Sequence, residues 1–144
     1  MKFSDIDEKR WPELKDYLDT CLLPVTGLTG TEPPWLAAKA LEELRDLLDC
    51  VEIPFYGRVV TYPAFHYFAA KRPEEELRRL CANLREAGFA RVIAAFRELP
   101  QELREAAETG ADLLLSAKDF AGMERDAVNA EIRRQVVGLW SKGV

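Results

Sequence analysis

The chain has 144 residues, 48% of them hydrophobic, and carries 25 acidic against 20 basic residues for a formal net charge of −5. This length is enough for one compact core, and the acidic balance lacks the positive field that a nucleic-acid backbone requires. The apolar runs fall short of the roughly 20 residues that span a bilayer, and residues 1–8 are too charged for a signal peptide. We therefore expect one cytoplasmic domain over residues 1–144 that neither binds nucleic acid nor enters a membrane.

The first 17 residues predict a helical arm that packs on the flank of this domain. Ser4 and Asp7 resemble a weak capping box, and an apolar edge follows at Ile6, Trp11, Leu14 and Tyr17. Residues 18–25 then form a short apolar run without helical spacing, and it ends in the polar loop 26–31. Such a run is typical of a strand that is covered on both faces, so we place it at the centre of a sheet.

The rest of the chain alternates between helical and strand patterns. Paired prolines, Pro33 and Pro34, begin the clearest helix, because proline fits the first helical turn. Apolar spacing, β-branched runs and glycine stops predict the other elements. In chain order, the prediction is a helix at 34–49, a strand at 58–62, a helix at 73–88, a strand at 90–96, a short helix at 100–110, a strand at 112–116 and a helix at 119–141.

This alternation predicts an α/β fold with a parallel sheet, because each helix returns the chain to the starting edge of the sheet. Four strands with helices on both faces make a small, doubly wound, Rossmann-like domain of three layers. A strand order of 2-1-3-4 places the 18–25 strand inside. In folds of this kind, ligands bind beyond the carboxyl ends of the strands.

The segment Gly57–Phe68, with the sequence GRVVTYPAFHYF, carries a more specific resemblance. Together with Tyr17–Thr20 and the stretch Ile132–Trp140, it resembles the YpiF-like family of small bacterial proteins, found mainly in Bacillus-type Gram-positive organisms. Length and element order agree over most of the chain. The resemblance implies a bacterial protein with a domain of unknown function, and it brings no activity, cofactor or catalytic residue.

Few residues are candidates for metal or redox chemistry. Cys21, Cys50 and Cys81 are widely spaced and odd in number, which is typical of buried thiols and not of disulfides or a zinc site. His66 is the only histidine, so a histidine-based metal cluster is excluded. We expect no metal and no cofactor.

Six candidate ligand-binding residues follow the strands: Thr26, Thr29, Tyr62, His66, Arg97 and Ser116. The 26–31 loop can cradle a phosphate with its amide groups, or it can be an ordinary connection. Arg97 is suited to holding a carboxylate or phosphate, or it forms a surface ion pair with Glu98. His66 lies among six aromatic residues between Phe55 and Phe68, a cluster that can stack on a ligand, form an interface or simply pack.

Two functions remain open. The first is a non-catalytic accessory protein that binds a protein partner, a second copy of itself or a small anionic ligand. The second is a small enzyme or a nucleotide- or phosphate-binding protein with its site at the carboxyl edge of the sheet. We favour the first because the sequence contains no catalytic motif.

Overall fold

Four parallel strands form the centre of the computed structural model, which describes residues 1–66, 72–106 and 108–141. The strands are β1 (Thr20–Val25), β2 (Val59–Thr61), β3 (Arg91–Phe96) and β4 (Leu113–Ser116). All pairings are parallel, and the order is β2-β1-β3-β4. The predicted α/β class, parallel sheet and strand order are confirmed.

Helices connect these strands in the predicted alternation. They are α1 (Trp11–Leu14), α2 (Pro34–Glu52), α3 (Pro73–Glu86), α4 (Gln101–Glu105) and α5 (Arg125–Ser141), with short 3-10 turns at Phe3–Asp5 and Ala117–Phe120. None of the helices described is both long enough and apolar enough to cross a membrane.

Both faces of the sheet are covered, and each has its own core. Cys21, Leu23 and Val25 of β1 face α3, α4 and the N-terminal arm, whereas Leu22 faces α2 and α5. All six residues of β1 are buried, as expected for an internal strand of a parallel sheet. Three cysteines are free and buried, as predicted: Cys21 and Cys81 lie in the first core and Cys50 in the second.

Several boundaries differ from the sequence prediction. The amide of Leu18 donates to the carbonyl of Leu14, so the chain is still in a helical turn there, and β1 begins at Thr20. The last helix begins at Arg125 and not at 119, because a 3-10 turn and Gly122, with φ of +79°, intervene. The short helix ends at Glu105 and not at 110, because Ala106 adopts an extended conformation.

Candidate functional site

The parallel sheet brings the ends of all four strands to one edge. Thr26 follows β1, Tyr62 follows β2, Arg97 follows β3 and Ser116 ends β4. Their side chains nevertheless contact different parts of the protein. Of the six candidate residues, all of which lie in the described part of the chain, Thr26, Thr29 and Arg97 line a common cleft.

The side chains of Thr26 and His66 are in contact just beyond the carboxyl end of β1. The Thr26 side chain is 1% exposed, and its Oγ1 lies 3.2 Å from Nδ1 of His66. Beyond Pro63, Phe65 continues the parallel pairing with β1. Its amide donates to the carbonyl of Pro24, and its carbonyl accepts from the amide of Thr26. His66 is therefore positioned by main-chain pairing. Tyr67 and Phe68 of the predicted aromatic cluster lie outside the described residues.

Amides of the 26–31 loop already donate to a carboxylate of the protein, that of Glu32. The Glu32 carboxylate accepts hydrogen bonds from the amides of Thr29 (2.9 and 3.1 Å) and Gly30 (2.9 Å) and from the Thr29 hydroxyl (3.1 Å). These bonds, led by the Thr29 amide, lower the pKa of Glu32 to about 2. Two of the loop amides and the Thr29 hydroxyl, which the sequence suggested as donors to a phosphate, thus donate to Glu32 instead.

The side chains of Tyr62 and Ser116 contact other residues of the protein. The Tyr62 ring packs edge to face on Phe89, with ring centres 5.2 Å apart, and burial raises the pKa of its phenol. The Ser116 hydroxyl accepts a hydrogen bond of 3.0 Å from the buried amide of Leu99. Ser116 thereby fixes the chain just after Arg97.

Arg97 occupies the most distinctive position at this edge. Its Nη1 lies 3.7 Å from Oε2 of Glu43, beyond hydrogen-bond distance. Its Nε is buried and has no hydrogen-bond partner among the residues that the structure describes. Arg97 lines two cavities.

The first cavity is the α2–α5 pocket, which lies between α2, the 117–120 turn and the start of α5 and has a volume of about 410 Å³. Its apolar wall includes Leu47, Cys50, Phe120 and Val128. Three basic side chains, Arg97, Lys118 and Arg125, and two acidic ones, Glu43 and Asp46, complete the lining. A pocket of this size and make-up suits a small, partly apolar ligand.

The second cavity that Arg97 lines is the acidic cleft, which has a volume of about 400 Å³. It is lined by Thr26 and Thr29 and also by two carboxylates, Glu98 and Glu102. Lys118 lies 3.4 Å from Glu98 and offsets part of this charge. The carboxylates make this cleft the less favourable of the two for an anion.

Of the residues around the α2–α5 pocket, the sequence analysis singled out Arg97. It missed Arg125 and the apolar wall, because these come from helices remote in sequence. The one available signal was the position of Arg97 directly after an internal strand. A ligand-binding role for the other predicted residues stays a prediction.

Metal or thiolate chemistry finds little support in the described parts of the chain. Those residues include no group of three or more His, Cys, Asp or Glu side chains that could hold a metal ion. Burial raises the pKa of all three cysteine thiols, to about 11 for Cys81. A thiolate nucleophile is therefore disfavoured at neutral pH.

The fold and the pocket define a small parallel α/β protein with a ligand-sized cavity at the carboxyl edge of its sheet. The chain belongs to the family described as Protein of unknown function (DUF2487), whose model matches residues 9–138. No curated protein and no solved structure matches the chain. Family membership therefore identifies the domain and leaves its activity to be argued from the site.

Proposed function

We propose that this protein is a non-catalytic binding domain for a small amphipathic anion. The apolar part of the ligand occupies the α2–α5 pocket, and its carboxylate or phosphate contacts Arg97. The observation that carries this proposal is the buried Nε of Arg97, which has no hydrogen-bond partner among the described residues and belongs to a side chain that lines a largely apolar pocket.

An unpaired buried donor is unfavourable by about 1–3 kcal/mol, more for a charged group. The Glu43 contact compensates little, because it is long and both side chains are more than a third exposed. A bound carboxylate or phosphate accepts two parallel hydrogen bonds from a guanidinium. After a small reorientation of the side chain, such a ligand satisfies Nε and replaces the weak contact to Glu43.

The charges around the pocket favour a single anionic group. Arg125 forms no ion pair within the described ranges, and Lys118 pairs with Glu98 outside the pocket lining. Glu43 and Asp46 on the α2 side oppose a second negative group. This arrangement favours a monoanion with an apolar body over a highly charged nucleotide.

Two observations support a binding function rather than catalysis. The Ser116 hydroxyl already accepts an amide hydrogen bond from Leu99, and the pKa of Cys50 in the pocket wall is raised by burial. The expectation of a bacterial, cytoplasmic accessory protein, with or without a protein partner, is part of this proposal. The alternative is an enzyme or a nucleotide-binding protein, and it requires the ligand to bind in the acidic cleft, which Glu98 and Glu102 line.

A thermal-shift screen tests the proposal, using aliphatic and aromatic carboxylates, their phosphate counterparts, nucleotides and inorganic phosphate. We expect a monoanion with an apolar body to stabilise the protein most. Arg97→Ala should weaken its binding by one to two orders of magnitude, about 1.4–2.8 kcal/mol. Ala121 also lines the α2–α5 pocket. Ala121→Leu narrows this pocket without changing its charge, so it should weaken ligand binding as well.

Arg79→Ala is the matched control, because Arg79 is an exposed arginine on α3 and does not line this pocket. It should bind like the unmodified protein. The proposal is wrong if no compound stabilises the protein, or if Arg97→Ala and Ala121→Leu bind the best compound as tightly as the control does. Preference for nucleotides together with sensitivity to Thr29→Ala would move the site to the acidic cleft.

A further inference from the structure

A third cavity lies on the opposite face of the sheet, between the N-terminal arm, β2 and the segment that precedes β3, and has a volume of about 260 Å³. We name it the arm cavity. Four aromatic side chains line it, together with two carboxylates: Phe3, Trp11, Tyr62, Phe89, Asp7 and Glu8. The proposed anion site contributes no residue to it.

The four aromatic rings that line this cavity contact one another in series. Trp11 lies against Phe89 with ring centres 5.8 Å apart, Phe89 meets Tyr62 edge to face at 5.2 Å, and Tyr62 lies 6.2 Å from Phe3. Phe89 is buried, whereas Phe3 is 47% exposed and marks the open side. The planes of successive rings are inclined to one another by 53°, 87° and 54°.

The charges at the cavity have one sign. Asp7 and Glu8 line it, and no lysine or arginine is among its lining residues in the described chain. One Asp7 oxygen accepts a hydrogen bond from the Arg10 amide at 2.8 Å, which fixes the carboxylate in place. Neither carboxylate forms an ion pair with the residues that the structure describes.

Aromatic ring faces and carboxylates both attract cations, and a cation with a low hydration energy is the occupant that suits the two together. Ring quadrupoles attract ammonium groups within about 6 Å, and quaternary ammonium groups are the usual ligands of aromatic cages. The volume is below the roughly 300–1,000 Å³ of pockets for drug-sized ligands, so it suits a compact head group. We infer that the arm cavity binds a small free molecule with a trimethylammonium group, without a carboxylate beside that group.

Two-dimensional 1H–15N NMR spectra of the full chain provide the test, with choline, tetramethylammonium, glycine betaine and 3,3-dimethylbutan-1-ol as probes. The last is the uncharged counterpart of choline. We expect saturable shifts of the Trp11 indole signal with choline and tetramethylammonium and weaker binding of glycine betaine, whose carboxylate is repelled by Asp7 and Glu8. The uncharged alcohol should cause no saturable shift.

Phe3→Ala removes one ring at an exposed position and should weaken choline binding by about 3- to 30-fold. Glu8→Gln should weaken it while the uncharged alcohol is unaffected. Trp35→Ala is the matched control, since Trp35 is 71% exposed and does not line the cavity. It should bind choline normally.

The inference is overturned if choline gives no saturable shift at Trp11 or if the uncharged alcohol binds equally well. It is also overturned if Phe3→Ala and Glu8→Gln, each folded as judged by its spectrum, bind choline like the control. These outcomes are independent of the anion site, because Arg97 does not line the arm cavity.

Discussion

At the scale of single residues, Glu32 shows how a loop can satisfy its own amide groups. Its carboxylate occupies the place where an external anion would bind to Thr29 and Gly30. The pKa of Glu32 falls from 4.5 to about 2, first through the Thr29 amide. Because the folded-state pKa is the lower one, the carboxylate stabilises the loop fully above about pH 4.5, and this stabilisation is lost as the pH falls toward 2.

The first prediction follows from these bonds. A carboxyl-carbon NMR titration should place the midpoint of Glu32 near pH 2, and Glu32→Gln should speed hydrogen exchange at the amides of Thr29 and Gly30. Glu98→Gln, a change at another exposed glutamate of the same edge, should leave both amides unchanged. A Glu32 midpoint near 4.5 would contradict the closed loop.

At the scale of elements, one glycine sets how closely the loop before β4 approaches α3. Gly110 has φ of +88°, and a Cβ at this position would lie 2.9 Å from the Arg78 Cα and 3.2 Å from the Cys81 Cβ. The first of these neighbours is backbone and cannot move alone. The sequence identified Gly110 as a helix stop, whereas the structure shows a close contact between two elements.

The second prediction is that Gly110→Ala lowers the free energy of unfolding by about 2–4 kcal/mol, from the left-handed backbone and the clash together. Gly27→Ala is the control, because Gly27 has φ of +71° and nothing within 4 Å of the added Cβ. It should cost only about 1–2 kcal/mol. Urea denaturation measures both variants, and equal losses would show that α3 moves away without cost.

At the scale of the whole molecule, Trp140 joins the last helix to the amino end of the sheet. Its Nε1 donates to the Thr20 hydroxyl at 2.9 Å, and the Arg58 guanidinium lies 4.0 Å above its ring. Arg58 also forms two hydrogen bonds to Asp19, of 3.0 and 3.2 Å. The side chains thus link residues 120 positions apart.

The third prediction concerns this junction. Trp140 is half-buried, so Trp140→Ala should cost about 2–4 kcal/mol, slightly less than for a fully enclosed ring. Trp140→Phe, which keeps a ring and loses the donor, should cost about 1 kcal/mol or somewhat more. Trp35→Ala, at a 71% exposed tryptophan, should change stability by less than about 0.5 kcal/mol. A loss below about 1 kcal/mol for Trp140→Ala would mean that α5 is held by its other contacts.

The sequence by itself determined the elements and their layers. The residues of β1 are apolar on both faces, and Leu44, Leu47 and Cys50 recur at helical spacing, so local periodicity indicated what each segment forms and which side it buries. Alternation of strands and helices then required parallel pairing. Boundaries were less certain, as at Arg125, because capping and turn geometry depend on a few torsion angles.

Only the tertiary structure decided where the cavities lie and what lines them. Arg97, Leu47 and Arg125 are far apart in sequence and meet only because α2 and α5 pack on one face of the sheet. Tyr62 was predicted at the carboxyl edge, yet its ring turns to Phe89 and the N-terminal arm. Periodicity determines which face a residue occupies, whereas the direction of its side chain and its distance to remote residues depend on how the elements pack.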